Sequence, residues 1–519
     1  MKKIFIIFAF ILPFSFLFSC NKILNTQPQD FSTPEQYYNS ESQLNDALAG
    51  VYTTLSNKYL FQNVYPTLLN TGNDESYYRS TTIIGAPVYT QDASTIEISG
   101  LWQALYQGIR NANALLENIK KPAMDSTKRN VIKGEALFLR SYYYFLLVQH
   151  WGDVPLLLTS TKSPESIEYS VSRTLSKDIY TQIITDMTTA EGLVSDITTL
   201  GYGGRVSKSA VRGMLARVCL FNAGQPVNDV SKYADALIWA KKVYDSKLHS
   251  LNPDYSQIFV NYIQDKYDIK ESIFESEFYG NATASTGGDT RTPGYTGIQV
   301  GVQCSNLDSG YCYGNLMAQG LLYKAYEATD KRRDWTIGNY TYSGVNKVNM
   351  VTSQYYGRFP AKFRRELELL KPKAKNANGT NFPILRYADV LLMLAEAENE
   401  MNGPLNALQY LNMVRSRAGA TVYLTSNSDV NSQISFRKTV QDERYRELAF
   451  ECLRNMDLVR WGLLITNTKA AGVDLTANAP SNQKYGANAS NNITSRDLLW
   501  PVPIYDLSLN NKLTQNPGY

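Results

Sequence analysis

The chain has 519 residues, and its 51 Lys and Arg residues nearly balance its 47 Asp and Glu residues. Hydrophobic residues make up 44% of the chain, which is enough for a large core. No basic block is interleaved with aromatic residues, which argues against a nucleic-acid-binding protein. Tyrosine is abundant at 37 residues, and its apolar ring with one hydroxyl suits surfaces that bind polar ligands with apolar faces.

The N-terminus has the pattern of an export signal. Lys2 and Lys3 precede an apolar run, Ile4–Phe18, that is too short to cross a bilayer as a helix. Ser19 followed by Cys20 resembles the lipobox of bacterial lipoproteins, in which cleavage precedes a cysteine that then carries lipid. We therefore predict a signal peptide over residues 1–19, lipid on Cys20 and one domain over residues 20–519. An ordinary secretory signal, with an incidental Cys20, is the alternative.

Much of the domain has the apolar spacing of helices. Leu101–Ile119 carries apolar residues every three or four positions, and Glu135–Val148 is apolar on all sides, as expected of a buried helix. Leu175–Leu193 has a helical pattern as well, and we expect it to pair with Glu135–Val148.

Two later segments match each other. Each has a Met-Leu-Ala run ending at Ala216 or Ala395, a glycine eight residues further on, Gly224 or Gly403, and then a second helical pattern. This arrangement resembles a degenerate tetratricopeptide repeat, with a small alanine where the two helices cross. The fold class predicted is therefore all-α: a right-handed, tetratricopeptide-like stack of helix pairs with long irregular insertions.

Three segments lack helical period and are rich in polar residues. They are residues 63–99, residues 275–381 and the tail over residues 467–519, which we expect to be loop-like. Long loops on a rigid helical scaffold commonly carry function. We expect the first two to be the ligand-binding insertions.

Cysteine and histidine are sparse, at five and two residues. Cys304 and Cys312 bracket a polar segment that an exported protein could close with a disulfide, although spacing alone does not establish the geometry. The two histidines, His150 and His249, make a Ser-His-Asp triad or a His-rich metal site hard to build. We expect no catalytic residues, no metal and no cofactor.

Six blocks in chain order together resemble the SusD/RagB family of outer-membrane nutrient-binding lipoproteins. They cover nearly the whole mature chain, and each is weak alone. The blocks are Trp102–Asn113, Glu135–Pro155, Gly204–Arg217, Leu385–Gly419, Glu443–Trp461 and Trp500–Tyr519.

The resemblance implies a function and a partner. Family members capture a nutrient at the cell surface and sit as a lid over a TonB-dependent, SusC-like barrel transporter, so a glycan or oligosaccharide ligand is expected, with a peptide as the alternative. Family members that are exported to the cell surface often carry an acidic run after the lipidated cysteine. Here no acidic residue precedes Asp30, so attachment to the periplasmic face of the outer membrane is the alternative. The residues are also compatible with a surface-anchored helical glycoside hydrolase and with a scaffold that binds no small ligand.

The charged residues of the later blocks have a structural and a catalytic interpretation. Their helical spacing on otherwise apolar helices favours ion pairs that fix how the repeats stack. A glycosidase pair, such as Glu443 with Glu447, is disfavoured because residues four apart on one helix point the same way.

Aromatic residues in the two insertions are the candidate ligand-binding residues. We expect a shallow, solvent-facing surface in which tyrosine rings stack on the ligand while Asp74 and Arg79 bond its polar groups. Packing of these rings onto the scaffold is the alternative. The stacking candidates are Tyr77, Tyr78, Tyr295, Tyr311 and Tyr313.

Overall fold

A computed structural model describes residues 37–160, 170–279, 300–375 and 377–519, so that Cys20 and Tyr295 lie outside the described residues. Helices dominate these ranges. The α-helices are α1 (Glu41–Tyr52), α2 (Ile96–Asn118), α3 (Ser126–Trp151), α4 (Ser176–Glu191), α5 (Ile197–Leu200), α6 (Lys208–Ala223), α7 (Lys232–Asp245), α8 (Tyr255–Ile263), α9 (Gly320–Lys324), α10 (Arg333–Thr336), α11 (Tyr387–Asn402), α12 (Pro404–Ala418), α13 (Gln433–Glu447), α14 (Arg454–Arg460), α15 (Leu464–Asn478), α16 (Asn488–Asn492) and α17 (Ile504–Leu509).

The strands are short and form three antiparallel pairs. β1 pairs with β3, β2 with β6, and β4 with β5 as a hairpin. Their bounds are β1 (Ser76–Tyr78), β2 (Ser272–Ser276), β3 (Leu316–Ala318), β4 (Tyr340–Ser343), β5 (Asn346–Asn349) and β6 (Phe382–Arg386).

The long helices form a stack in which each packs on its neighbours. The packed pairs are α2 with α3, α3 with α4, α4 with α6, α6 with α7, α7 with α11, and α11 with α12. The predicted helix pairs are therefore confirmed, as is the predominantly α-helical fold class. Gly403 ends α11 with φ near 83°, a conformation that favours glycine, and Pro404 starts α12 at once.

Small residues let the helices of the stack approach closely. Ala216 in α6 and Ala395 in α11 are both completely buried. A methyl group added at Gly108, in α2, would lie 2.5 Å from Cε2 of Tyr143 in α3. Space at these positions is therefore already filled by neighbouring side chains.

The charged residues of the later sequence blocks are buried in ion pairs, as their structural interpretation predicts. Arg386 Nε donates to Glu451 Oε2 at 2.8 Å, and its Nη1 donates to Glu447 Oε1 at 3.1 Å. Burial disfavours ionisation of Glu447, but Arg417, Arg386 and other cations outweigh it and lower its pKa to about 2. These groups are charged, paired and internal.

The tail is more helical than its sequence suggested. The prediction of a loop-like segment from residue 467 was wrong, because α15 spans Leu464–Asn478 and α16 and α17 follow. The helix α15 is rich in Thr, Asn and Ala and has no strong apolar stripe. Its packing depends instead on close approach: a methyl group at Gly472 would lie 1.7 Å from Oγ of Ser490. No helix in the described ranges is both long and apolar enough to span a membrane.

Candidate functional site

The two insertions expected to bind ligand meet in the structure. β1, in the first insertion, pairs with β3, in the second, so that Tyr77 lies opposite Met317 and Tyr78 opposite Leu316. The pairing continues one residue further, where the Arg79 N–H donates to the Asn315 carbonyl at 2.7 Å. Backbone hydrogen bonds therefore fix the two segments relative to each other.

Asp74 is placed differently from the expectation. It is only 5% exposed, and its carboxylate accepts from Nε and Nη2 of Arg454 at 2.9 and 2.6 Å and from Nδ2 of Asn467 at 2.9 Å. The expected solvent-facing role of Asp74 is therefore corrected. Asp74 is held inward by Arg454 and by a turn in which the Asn73 side chain accepts from the N–H groups of Glu75 and Ser76.

Tyr77 is also internal rather than a stacking residue. Its side chain is 2% exposed, and its hydroxyl donates to Gln483 Oε1 at 2.7 Å. The ring lies so close to Gly486 that a methyl group there would be 2.6 Å from Cδ2 of Tyr77. Tyr77 thus anchors the turn over residues 481–487 and is corrected to a packing residue.

Arg79 links the two insertions from the edge of β1. Its Nε donates to the Gly314 carbonyl at 2.7 Å, and its Nη2 donates to the Tyr313 carbonyl at 2.9 Å. The guanidinium carbon lies 5.8 Å from the centre of the Phe359 ring. These contacts use two of the five N–H donors of the guanidinium and hold the backbone at Tyr313.

Tyr311 and Tyr313 form a half-buried pair of rings. Their ring centres are 5.0 Å apart, and the rings are tilted by 75°. The Lys375 ammonium lies 4.9 Å from the centre of the Tyr311 ring and 5.6 Å from that of Tyr313. The two rings therefore sit beside a positive charge and keep part of their surface in solvent.

Cys304 and Cys312 lie directly opposite each other in an antiparallel bridge at the base of this loop. Each N–H donates to the other residue's carbonyl at 2.9 Å. Such a pair has Cα atoms about 5.5 Å apart, which is inside the range for a disulfide. None of the four cysteines in the described ranges is in a disulfide, so the bond stays a prediction.

Two further aromatic residues complete the surface. Tyr342 in β4 and Tyr485 are half-buried and pack on a small core separate from the helical stack. Burial raises the pKa of Tyr485, and the nearby Arg79 guanidinium opposes that rise. The half-buried residues that the two insertions and the tail contribute here are called the tyrosine surface: Arg79, Tyr311, Tyr313, Tyr342 and Tyr485. Tyr78 alternates with Tyr77 and Arg79 along β1 and packs instead against the core of the helical stack, so it is not part of this surface.

Sequence reasoning missed Tyr485 because it lies in the polar tail, far along the chain from both insertions. The signal that was present is indirect. Gly486 follows Tyr485, and a glycine in a polar segment is compatible with close approach by another side chain. Nothing in the sequence identifies that side chain as Tyr77.

The two carboxylates that were considered as a glycosidase pair lie in the core. Glu443 and Glu447 are completely buried. Arg332 Nη1 lies 2.6 Å from Glu443 Oε1 and 3.0 Å from Glu447 Oε2. Despite burial, Arg332 and other arginines lower the pKa of Glu443, which keeps it ionised and unable to act as a general acid.

Models of known families match both halves of the chain. A model described as "SusD family" matches residues 270–519. A model described as "Starch-binding associating with outer membrane" matches residues 23–220. The matched regions contain all residues of the tyrosine surface.

Individual proteins are similar over nearly the full length. SusD-like protein P25 of Formosa agariphila is 26% identical over 86% of this chain and 88% of its own. A SusD homolog of known structure from Bacteroides thetaiotaomicron is 26% identical, covers 95% of this chain and 100% of its own, and superposes with a TM-score of 0.83. The fold is also shared, at 20% identity and a TM-score of 0.70, with surface glycan-binding protein A from Bacteroides thetaiotaomicron in complex with laminarihexaose, covering 92% of this chain and 99% of that one.

Proposed function

The chain belongs to the SusD/RagB family, and from that premise we propose that it binds a glycan at the outer membrane without transforming it. One matching family model is described as starch-binding and associated with the outer membrane, and one structural neighbour is a glycan-binding protein in complex with laminarihexaose. The observation in this chain that supports the proposal is the tyrosine surface, in which half-buried rings lie beside Arg79 on a fixed backbone.

The chemistry of the tyrosine surface suits a sugar chain. The apolar faces of Tyr311 and Tyr313 would stack on the C–H face of a pyranose ring, and tyrosine hydroxyls and the remaining Arg79 donors would bond its hydroxyl groups. We expect the surface to be shallow and to desolvate little of the ligand. We expect dissociation constants on the order of micromolar to millimolar.

The burial and ionisation of the two candidate acids, Glu443 and Glu447, support binding without hydrolysis. A retaining or inverting glycosidase needs a carboxylic acid that is protonated near the working pH and faces the scissile bond. Glu443 and Glu447 are instead buried, ionised and surrounded by arginines. The proposal therefore assigns them to the scaffold.

Anchoring and delivery are further parts of the proposal. Lipid on Cys20 would tether the domain to the outer membrane, and the tethered protein would pass its ligand to a TonB-dependent, SusC-like transporter. The support is the lipobox-like Ser19-Cys20 and the description of the family model that matches residues 23–220. Co-purification of a barrel transporter from detergent-solubilised outer membranes would test the partner.

A glycan array followed by calorimetric titration tests the binding function. The soluble domain, beginning after Cys20, would be screened on the array and then titrated with the glycan that binds and, separately, with laminarihexaose. We expect Tyr313→Ala to weaken binding at least about tenfold with an unchanged melting temperature. The matched control is Tyr267→Ala, which removes an exposed tyrosine outside the tyrosine surface. An array without any glycan signal, or equal losses in both variants, would overturn the proposal.

A further inference from the structure

An open cleft lies between α2 and the C-terminal helix α17, and it contains no residue of the tyrosine surface. It has a volume of about 620 Å³ and is lined by aromatic, amide and aliphatic side chains. It is therefore large enough for more than one sugar ring.

One wall of the cleft is a polar stripe on α2. Gln103, Gln107 and Arg110 are exposed, because the opposite face of the helix turns apolar residues such as Leu105 into the core. Arg110 Nη2 donates to Gln107 Oε1 at 2.7 Å, and Gln107 Nε2 donates to Asn111 Oδ1 at 2.8 Å. From residue 103 to residue 110 the stripe runs about 10 Å along the helix axis. It presents amide groups that both donate and accept.

The floor of the cleft is rigid and aromatic. Trp102 and Tyr106 are buried, with ring centres 4.9 Å apart. The Tyr106 hydroxyl donates to the Pro155 carbonyl at 2.9 Å. Tyr59 borders the floor, and its ring is held against Gly100, where a methyl group would lie 2.4 Å from the ring.

The opposite wall presents apolar groups to solvent. On α17, Tyr505 is 60% exposed and Leu509 is 44% exposed, and both line the cleft. Between them lies Asp506, whose Oδ2 is buried. Burial raises the pKa of Asp506, and the Trp102 side chain opposes that rise. The wall thus offers mainly apolar stacking surface.

We propose that this cleft is a second saccharide-binding site, in which the sugar rings lie between the apolar wall of Tyr505 and Leu509 and the polar stripe of Gln103, Gln107 and Arg110. The proposal rests on the proposed glycan-binding function. A saccharide fits because each ring has apolar C–H faces and hydroxyl edges, which matches one apolar wall and one amide wall. The single charges Arg110 and Asp506 have opposite signs, so the cleft does not select a strongly charged ligand.

Two sites on one chain would change how the protein holds a polymer. A glycan bound at both the tyrosine surface and the cleft gains effective concentration at the second site, so that two weak contacts retain a long chain better than a short one. Short oligosaccharides would fill the two sites independently.

Native mass spectrometry with laminarihexaose and with maltohexaose tests the second site. We expect two binding events for at least one of the two probes on the wild-type soluble domain. The double variant Tyr505→Ala/Leu509→Ala should lose one event or weaken it at least about tenfold, and Tyr313→Ala should affect only the other event. The control is Tyr267→Ala/Leu424→Ala, which removes an exposed tyrosine and an exposed leucine outside the cleft.

The outcomes separate the second site from the proposed function. A single event that Tyr313→Ala removes and the cleft variant leaves unchanged would overturn the second site and leave the function intact. Two events that both survive Tyr313→Ala would instead count against the tyrosine surface. No binding of either probe would overturn the second site as stated, whereas the function is decided separately by the glycan array. Melting temperatures confirm that each variant is folded, and the cleft variant replaces only exposed side chains.

Discussion

Arg454 and Asp74 are 380 residues apart in the sequence and form a buried ion pair, with Nη2–Oδ2 and Nε–Oδ1 distances of 2.6 and 2.9 Å. Arg454 is the first residue of α14, and Asp74 lies two residues before β1. The pair therefore fastens the loop that carries Tyr78 and Arg79 to the helical stack. Its two parallel hydrogen bonds fix orientation as well as distance.

Removing Arg454 should destabilise the protein strongly. In Arg454→Ala, Asp74 remains buried without its cation, and breaking a buried pair in this way typically costs about 3–5 kcal/mol. Denaturant unfolding measures the loss. The control is Lys438→Ala, which removes an exposed partner of Asp442 and should leave the midpoint unchanged. Equal midpoints for the wild type and Arg454→Ala would show that the pair does not hold the loop.

Enlarging the small residues at the helix crossings should also destabilise the stack. Ala216→Leu or Ala395→Leu inserts extra methyl groups where both alanines are fully buried, and such overpacking costs about 1–3 kcal/mol. Ala470→Leu, on the exposed face of α15, is the matched control and should be nearly neutral. Unchanged unfolding midpoints in both core variants would contradict close packing at these crossings.

The helical stack could be predicted from the sequence because its signals are local. Apolar spacing of three to four residues, as in Leu101–Ile119, reports a helix regardless of what covers it. The matched alanines and glycines report helix pairs, and Gly403 followed by Pro404 marks one connection. Helix α15 was not predicted, because its packing depends on close approach at Gly472 and not on an apolar stripe.

The candidate site could be predicted only in part, because its geometry depends on contacts between distant residues. The sequence indicated both insertions, and β1 and β3 do bring them together. Whether a polar loop residue faces solvent depends on residues far along the chain. Asp74 turns inward because Arg454 binds its carboxylate, and Tyr77 turns inward because Gly486 leaves room for its ring. The periodicity of apolar residues carries no information about contacts with residues that are distant in the sequence.

Glu75 should make stability depend on pH. Burial raises the pKa of its carboxyl to about 8, although the Phe450 N–H, Arg454 and Lys362 oppose the rise, and nearby Asp74 adds to it. The folded protein thus keeps a proton that the unfolded chain releases at its ordinary pKa of about 4.3. The contribution of Glu75 to stability is therefore full at low pH and is lost as the pH rises toward about 8.

Comparison with Glu75→Gln isolates this effect, because glutamine has the shape of the protonated acid. We expect the variant and the wild type to unfold at similar denaturant concentrations near about pH 4. Near about pH 8 the variant should be more stable, by on the order of a few kcal/mol. Parallel curves over the whole range would mean that Glu75 is ionised in the folded state.

Lipidation of Cys20 should determine where the protein is found. In Cys20→Ala the modified residue is absent, so we expect either release of soluble protein or accumulation of an unprocessed precursor. Membrane fractionation and the mass of the N-terminal peptide distinguish these outcomes. Ser19→Ala, which keeps a small residue before the cysteine, should be processed normally. A Cys20→Ala protein that stays in the membrane fraction at the mature mass would contradict the anchor.

Arg79 should act on ligand binding both through its own N–H donors and through the position of Tyr313. Its Nε and Nη2 hold two consecutive carbonyls, Gly314 and Tyr313, and a lysine cannot reproduce this fork although it keeps the charge. We expect Arg79→Lys to weaken glycan binding several-fold and Arg79→Ala to weaken it further, with melting temperatures close to that of the wild type because Arg79 is half-buried at the surface. Calorimetric titration of both variants separates the contribution of the positive charge from that of the forked hydrogen bonds. If Arg79→Lys binds as tightly as the wild type, charge alone matters. If Arg79→Ala does so as well, Arg79 has no part in glycan binding.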